Sequence, residues 1–200
     1  RFKKDQLILR PKETVTALSK SQVLLKLMSV CPIADLEFEA LFTNIRASLL
    51  LSASDPTATC EKFCFQTSLA LQCFTNEYIF KQNDDEIKAV KDLETLVNKI
   101  LKKGDQPDAN LILCLASYKA LYEYEWCDLL TINTDIEAVF IRQVIEPISE
   151  RRIKSTIPVL DEITNEVSSK VRMQYEANPY PRWVQLGLHL EPMSISAMVE

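Results

Sequence analysis

Glycine is almost absent from this chain, since its 200 residues include only Gly104 and Gly187. Tight hairpins and phosphate-binding turns draw on glycine because it adopts positive φ angles without steric cost. Helices tolerate its scarcity. We therefore expect an all-α fold, an irregular bundle of about seven helices. Short strands remain compatible with the pattern, and residues 7–9 are the best candidate.

Histidine is also scarce, and His189 is the single example. Zinc sites are typically marked by paired, closely spaced Cys and His residues, and no Cys-x-x-Cys pair occurs here. Of the six cysteines, Cys73 and Cys114 lie within apolar runs. We interpret the cysteines as reduced core thiols in a reducing compartment, and we assign no metal-binding residue.

The chain lacks an excess of basic charge: 23 Lys and Arg residues stand against 28 Asp and Glu residues, which gives a net charge of −5. Nucleic-acid binding needs clustered Lys and Arg to contact phosphates, so no nucleic-acid partner is expected. No apolar stretch approaches the ~20 residues of a membrane span, and residues 1–11 do not resemble a signal peptide. The sequence therefore predicts a cytoplasmic protein without a membrane partner.

Helix-starting residues recur along the chain and predict its organisation. We expect an N-terminal extension (1–18), a helical domain (19–173), and an extended arm with a tail (174–200). The fifth helix is apolar nearly all round from Leu111 to Leu121, as in a central buried helix. The predicted helices cover residues 19 or 21 to 30, 35–53, 55–82, 84–104, 105 or 108 to 121, 135–146, 148–157 and 158–173.

Groups that could support chemistry have simpler structural explanations. The acidic run Asp84, Asp85 and Glu86 begins a predicted helix, where the helix dipole favours negative charge. Four aromatic residues could stack a ligand, but packing at the end of the buried helix is the better interpretation. They are Tyr118, Tyr122, Tyr124 and Trp126. We assign no catalytic residue and no cofactor-binding residue.

One segment near the C-terminus stands apart, running Gln-Tyr-Glu-Ala-Asn-Pro-Tyr-Pro-Arg-Trp from Gln174 to Trp183. Each proline restricts the preceding residue to extended backbone, so we predict a stiff arm. Large aromatic side chains with an arginine favour a partner surface. The predicted interaction residues are Tyr175, Asn178, Pro179, Tyr180, Pro181, Arg182 and Trp183.

The same segment resembles a signature of bacterial class I S-adenosylmethionine-dependent methyltransferases, of the kind often preceded by tetratricopeptide repeats. In that signature a glutamate stands where this chain has Ala177. Residues 36–157 are loosely similar to that family's upstream region, notably at 72–78 and 143–147. The resemblance implies a non-catalytic helical accessory domain, with S-adenosylmethionine bound by a catalytic domain after Trp183. It implies a protein partner, either that domain or a protein substrate.

Two alternatives remain open at the level of sequence. The chain could be a freestanding helical scaffold that binds a protein or peptide, which predicts an exposed apolar groove away from the arm. It could also be a small-molecule enzyme that uses the aromatic cluster around Tyr122 and Trp126, although no nucleophile–base pair supports a reaction.

Overall fold

The computed structural model describes residues 11–53, 60–154, 156–158 and 165–177. All regular structure within these ranges is helical and none of it is strand, so the predicted all-α fold is confirmed. The chain divides into two compact units, Arg1–Pro158 and Val159–Glu200. The predicted strand at 7–9, the cap at Asp55 and residues 178–183 of the arm lie outside the described residues.

The first unit is built from short and medium helices. Residues 137–154 form one continuous helical run, which we call the composite helix. It consists of a short α-helix, a π-helical segment and a second α-helix. In chain order the elements are α1 (Pro11–Ser19), α2 (Gln22–Val30), α3 (Leu36–Leu51), α4 (Cys60–Thr75), α5 (Asp84–Lys102), α6 (Ala109–Ala116), the 3-10 turns Leu121–Glu123 and Cys127–Leu129, α7 (Glu137–Phe140), the π-helical Ile141–Ile145 and α8 (Glu146–Lys154).

Side-chain caps fix several helix starts where the sequence predicts them. The Asp35 carboxylate accepts hydrogen bonds from the backbone N–H groups of Glu37 and Phe38, at the start of α3. Ser21 caps α2 and Asp108 caps α6 in the same way. These bonds satisfy N–H groups that have no acceptor within the helix. Gly104 follows α5 with φ +85°, as expected of a glycine that ends a helix.

Two helix ends differ from the predicted ones. Helix α4 ends at Thr75 instead of near residue 82, because Glu77 and Tyr78 take positive φ angles of 58° and 56° that no α-helix can include. Helix α6 ends at Ala116 instead of Leu121 and gives way to 3-10 turns. In both places the apolar pattern continues past the helix end, so periodicity overestimates the length.

The composite helix replaces two predicted helices. The predicted cap Asp135 does not cap it; instead the Asn133 side chain accepts from the backbone N–H groups of Asp135 and Ile136. The sequence predicts that a separate helix starts at Pro147. In the structure Pro147 is the second residue of α8, which follows the π-helical segment without a break.

The last predicted helix, 158–173, overlaps α9 (Glu166–Ala177) in the second unit. Asn165 caps the start of α9, and α9 continues through Ala177, so the first four residues of the predicted extended arm, 174–177, are helical.

Helix α1 lies mostly within residues 1–18, for which the sequence predicts an extension and no helix. Its Val15 is buried beside Met28 and Phe65 in one of two hydrophobic clusters. The other cluster surrounds α6, in which all eight residues are buried. The predicted central buried helix is therefore confirmed. Among the described residues, no helix combines the length and the apolar character needed to cross a membrane.

Candidate functional site

The predicted interaction arm is described only at its beginning. Tyr175 lies in the last turn of α9 with 58% of its surface exposed. The other six predicted residues, from Asn178 to Trp183, lie outside the described residues.

Helix α9 is exposed almost all round. Asn165 accepts hydrogen bonds from the backbone N–H groups of Val167 and Ser168 and so caps its start. Val167, Val171 and Tyr175 follow one another at four-residue intervals, which places them along one side of the helix, and all three are exposed. Within the second unit, the helix thus presents an apolar strip that leads into the motif; we call it the α9 strip.

Two ion pairs support α9 in water. Lys170 Nζ lies 2.7 Å from Glu166 Oε1, and Arg172 Nε lies 2.5 Å from Glu176 Oε1. Both pairs span four residues, a spacing that stabilises exposed helices by about 0.2–0.5 kcal/mol per pair.

The first unit contains a buried charged cluster that the sequence did not reveal. Arg46 on α3 is 1% exposed, and its Nη2 donates to Lys81 O at 2.9 Å and to Glu86 Oε1 at 3.4 Å. The Tyr118 hydroxyl donates to the same Glu86 oxygen at 2.6 Å. The Arg46 guanidinium lies 4.2 Å from the centre of the Tyr118 ring. The three side chains therefore form one closed network, the Arg46 cluster.

Glu86 has a second role in this cluster. It forms a capping box with Asn83: its own N–H donates to Asn83 Oδ1, and its Oε2 accepts from the Asn83 N–H at 3.0 Å. The interpretation of the 84–86 acidic run as a helix start is therefore incomplete for Glu86, which is buried and ion-paired. The missed signal is helical spacing: Phe42, Arg46 and Leu50 are four residues apart and all buried.

Burial controls the protonation of the groups around the cluster. Burial, and then the hydrogen bond to Glu86, raise the pKa of Tyr118 well above its ordinary value. Burial raises the pKa of the neighbouring Cys73 thiol from 9.0 to about 12, although the nearby Arg46 charge lowers it in part. A neutral phenol that donates to a paired carboxylate cannot act as a base, and a buried neutral thiol is a poor nucleophile.

The space beside Arg46 is closed. The gap among Arg46, Gln66, Cys114 and Tyr118 is too narrow to admit a water molecule. On the α4 side, Gln66 Nε2 donates to Asn110 Oδ1 at 2.5 Å, and Asn110 Nδ2 donates to Ala53 O at 2.5 Å. These two bonds connect α4 and α6 to Ala53, which lies two residues after the end of α3.

A second buried amide joins the composite helix to the core. Gln143, fully buried in the π-helical segment, donates to Ala70 O (3.2 Å) and Ala116 O (3.0 Å) and accepts from the Leu121 N–H (3.1 Å). Ala116 ends α6, and Leu121 begins the following 3-10 turn. The Gln143 side chain thereby satisfies backbone groups where α6 stops.

The aromatic group packs in the core, as the sequence indicated. Tyr118, Tyr124 and Trp126 are buried, and the rings of Tyr124 and Trp126 stack with centres 4.6 Å apart. Tyr122 is half-buried beneath the Arg151 guanidinium, 4.3 Å from its ring centre. The packing interpretation is confirmed for these residues.

The core interpretation is confirmed for three of the described cysteines and is wrong for Cys64, which is exposed. Cys73, Cys114 and Cys127 are buried and free, and Cys31 and Cys64 are also free thiols. In the part of the chain that the structure describes, no group of three or more His, Cys, Asp or Glu side chains is arranged to hold a metal ion.

The composite helix is apolar on its outer side as well as on its core side. Ile141, Ile145 and Ile148 are 39%, 43% and 50% exposed. Spacings of four and three residues place them along one side of the helix. We call these three residues the isoleucine strip.

Comparison with known proteins adds no relative. No protein-family model, no curated protein and no solved structure matches the chain.

Proposed function

We propose that this chain is a helical accessory domain that docks the catalytic domain of a class I S-adenosylmethionine-dependent methyltransferase in the cytoplasm. In this proposal the catalytic domain binds S-adenosylmethionine, and the helical chain contributes protein contacts rather than chemistry. The docking surface is the α9 strip together with the arm residues Asn178 to Trp183.

The exposed α9 strip is the observation that carries the proposal. Val167, Val171 and Tyr175 lie along one side of a helix whose described side chains are nearly all exposed. Burying such residues against a partner is favourable by about 25 cal/mol per Å² of apolar surface. The strip leads directly into the Gln174–Trp183 segment that resembles the methyltransferase signature.

The chemistry of the segment suits a docking role. Tyrosine and tryptophan bring large areas and few rotatable bonds to a contact, and arginine offers planar hydrogen bonding. Prolines at positions 179 and 181 restrict the backbone before binding, so less conformational entropy is lost on docking.

The test is a calorimetric titration of the full 200-residue chain with a separately produced catalytic domain from a methyltransferase that carries the same signature. We expect saturable heat with the wild-type chain. Tyr175→Ala and Trp183→Ala should each weaken binding at least about tenfold, because each removes an aromatic contact.

Lys170→Ala is the matched control, since it changes an exposed residue of the same helix whose charge pairs with Glu166. It should bind like the wild type if the apolar strip is the contact. An absence of heat with the wild-type chain, or equal affinity for wild type, Tyr175→Ala and Trp183→Ala, overturns the proposal.

A freestanding helical scaffold is the second candidate. The isoleucine strip favours it, because that strip is an exposed apolar surface on the first unit, whereas the arm belongs to the second. Continued reading of the coding sequence beyond Glu200 separates the two candidates. A strand followed by a glycine-rich turn supports the methyltransferase parent, and a stop codon favours the scaffold.

A further inference from the structure

The composite helix carries apolar residues on two sides, and only one of them meets the core. Val139, Phe140 and Val144 are buried in the hydrophobic cluster around α6. Ile141, Ile145 and Ile148 face outward. An ordinary surface helix has one apolar side and one polar side, so a second apolar side marks a contact surface.

Opposite charges lie at the two ends of the isoleucine strip. Glu137, exposed, is the first residue of α7. Arg151, also exposed, lies in α8 with its guanidinium over the Tyr122 ring, 4.3 Å from the ring centre. Between them, Arg142 is ion-paired with Glu146 on the same helix, so the middle of the surface carries little net charge. Ile145 stands near the midpoint between Glu137 and Arg151.

We propose that two copies of the chain pair through this strip, with their composite helices antiparallel about a two-fold axis beside Ile145. In that arrangement Ile141 packs against Ile148 of the second copy, and Ile145 packs against its own equivalent. Glu137 then faces Arg151 of the second copy, and symmetry forms this ion pair twice. A parallel arrangement would instead bring Glu137 beside Glu137 and Arg151 beside Arg151, which is unfavourable.

A second copy fits this surface because the surface is complementary to itself. An acidic end, an apolar centre and a basic end match the same sequence read in the opposite direction. Three partly exposed isoleucines per copy form a small contact compared with the ~800 Å² per partner of a standard interface, so the dimer is reversible.

Analytical ultracentrifugation of the full chain over micromolar to millimolar concentrations is the first test. We expect the weight-average mass to rise from that of a monomer toward that of a dimer. Ile145→Asp should weaken association at least about tenfold, because it places a charge on the two-fold axis. Leu36→Asp is the matched control: it changes an exposed leucine at the start of α3, where an acidic residue is well accepted.

A charge exchange tests the antiparallel geometry itself. Glu137→Arg and Arg151→Glu should each weaken association, because each places like charges opposite one another. The double variant Glu137→Arg/Arg151→Glu restores both pairs and should recover most of the wild-type affinity. Circular dichroism of every variant establishes that the fold is kept.

Three outcomes overturn the proposal: a wild-type chain that stays monomeric at millimolar concentration, an Ile145→Asp variant that associates like the wild type, or a charge-exchanged double variant no stronger than the single ones. The experiment uses this chain alone. Its result is therefore independent of the titration with a methyltransferase domain.

Discussion

The Tyr118 hydroxyl donates a 2.6 Å hydrogen bond to Glu86 Oε1, and both side chains are buried. The same glutamate oxygen accepts from Arg46, whose guanidinium lies over the Tyr118 ring. Arg46 comes from α3, Glu86 from α5 and Tyr118 from the turn after α6. This network joins three parts of the first unit through one carboxylate, and its energetics can be tested by substitution.

Tyr118→Phe removes the hydroxyl and keeps the ring that stacks on Arg46. Hydrogen bonds to charged groups contribute about 1.5–3 kcal/mol, so we expect the free energy of unfolding in urea to fall by about that amount. Tyr122→Phe makes the same chemical change on a half-buried ring and should alter stability by less than about 0.5 kcal/mol. Equal effects at the two positions would contradict a stabilising role for the Tyr118–Glu86 bond.

Arg46→Met leaves the Glu86 carboxylate buried without its cation. Breaking a buried pair in this way costs about 3–5 kcal/mol of unfolding free energy. Adding Glu86→Gln removes the remaining charge and keeps one carboxamide oxygen, which can accept from Tyr118 or from Asn83 but not from both. Because no buried charge is left, the double variant should still be more stable than Arg46→Met alone. Urea unfolding of the wild type, Arg46→Met, Glu86→Gln and the double variant forms a double-mutant cycle. Losses of unfolding free energy that simply add would show that the two charges do not interact.

Gln143→Leu keeps the buried volume and removes one hydrogen bond to Ala70 in α4 and two to the backbone at the end of α6, at Ala116 and Leu121. The Ala116 carbonyl keeps a hydrogen bond from the Tyr78 hydroxyl, and Ala70 lies inside α4, so the Leu121 N–H is the group that loses its partner. Leaving one buried backbone group unsatisfied costs about 1–3 kcal/mol, and a loss of that size is expected.

Gln106 makes two bonds to backbone, to Leu129 O and from the Thr131 N–H, but it is exposed. Gln106→Leu should therefore cost less than about 1 kcal/mol because water replaces its bonds. Thermal and urea unfolding measure the stability of both variants. A loss of unfolding free energy in Gln143→Leu that is no larger than the loss in Gln106→Leu would contradict a stabilising role for the buried Gln143 amide.

Alkaline pH should destabilise the first unit. Burial raises the pKa of Cys73 and that of Cys114 from 9.0 to about 12, and burial also raises the pKa of Tyr124 above its ordinary value. In the unfolded chain these groups lose their protons at ordinary pKa values, while the folded chain holds them. The contribution of the two thiols is therefore complete below pH 9 and is lost as the pH rises from 9 toward 12.

Urea midpoints measured on both sides of pH 9 check this dependence. Cys114→Ala provides the comparison, since it removes one of the buried thiols and should make the alkaline decline shallower. A midpoint that stays constant through the alkaline range, or a decline that Cys114→Ala leaves unchanged, would argue against neutral buried thiols.

Local chemistry explains which parts of the fold could be predicted. Ser21, Asp35 and Asp108 cap helices through neighbours two or three residues away, so the sequence indicates those starts directly. The length of α4 could not be read in this way. Its end depends on positive φ angles at Glu77 and Tyr78, residue types that give no warning of such a conformation.

The buried clusters depend on contacts between distant residues. Arg46 and Glu86 are 40 residues apart, and Glu86 and Tyr118 are 32 apart, so no local pattern connects them. Core spacing could have shown that Arg46 and Gln143 face inward, but not which groups they meet. The π-helical segment that directs Gln143 likewise has no sequence marker. The role of the arm stays a prediction.

Hydrogen–deuterium exchange of the full chain, with and without the separately produced catalytic domain, tests the docking proposal most directly. We expect binding to slow amide exchange in α9, from Glu166 to Ala177, and to leave exchange in the core around Arg46 and Tyr118 unchanged. Slower exchange confined to that core, or unchanged exchange throughout α9 in a saturated complex, would contradict the docking proposal.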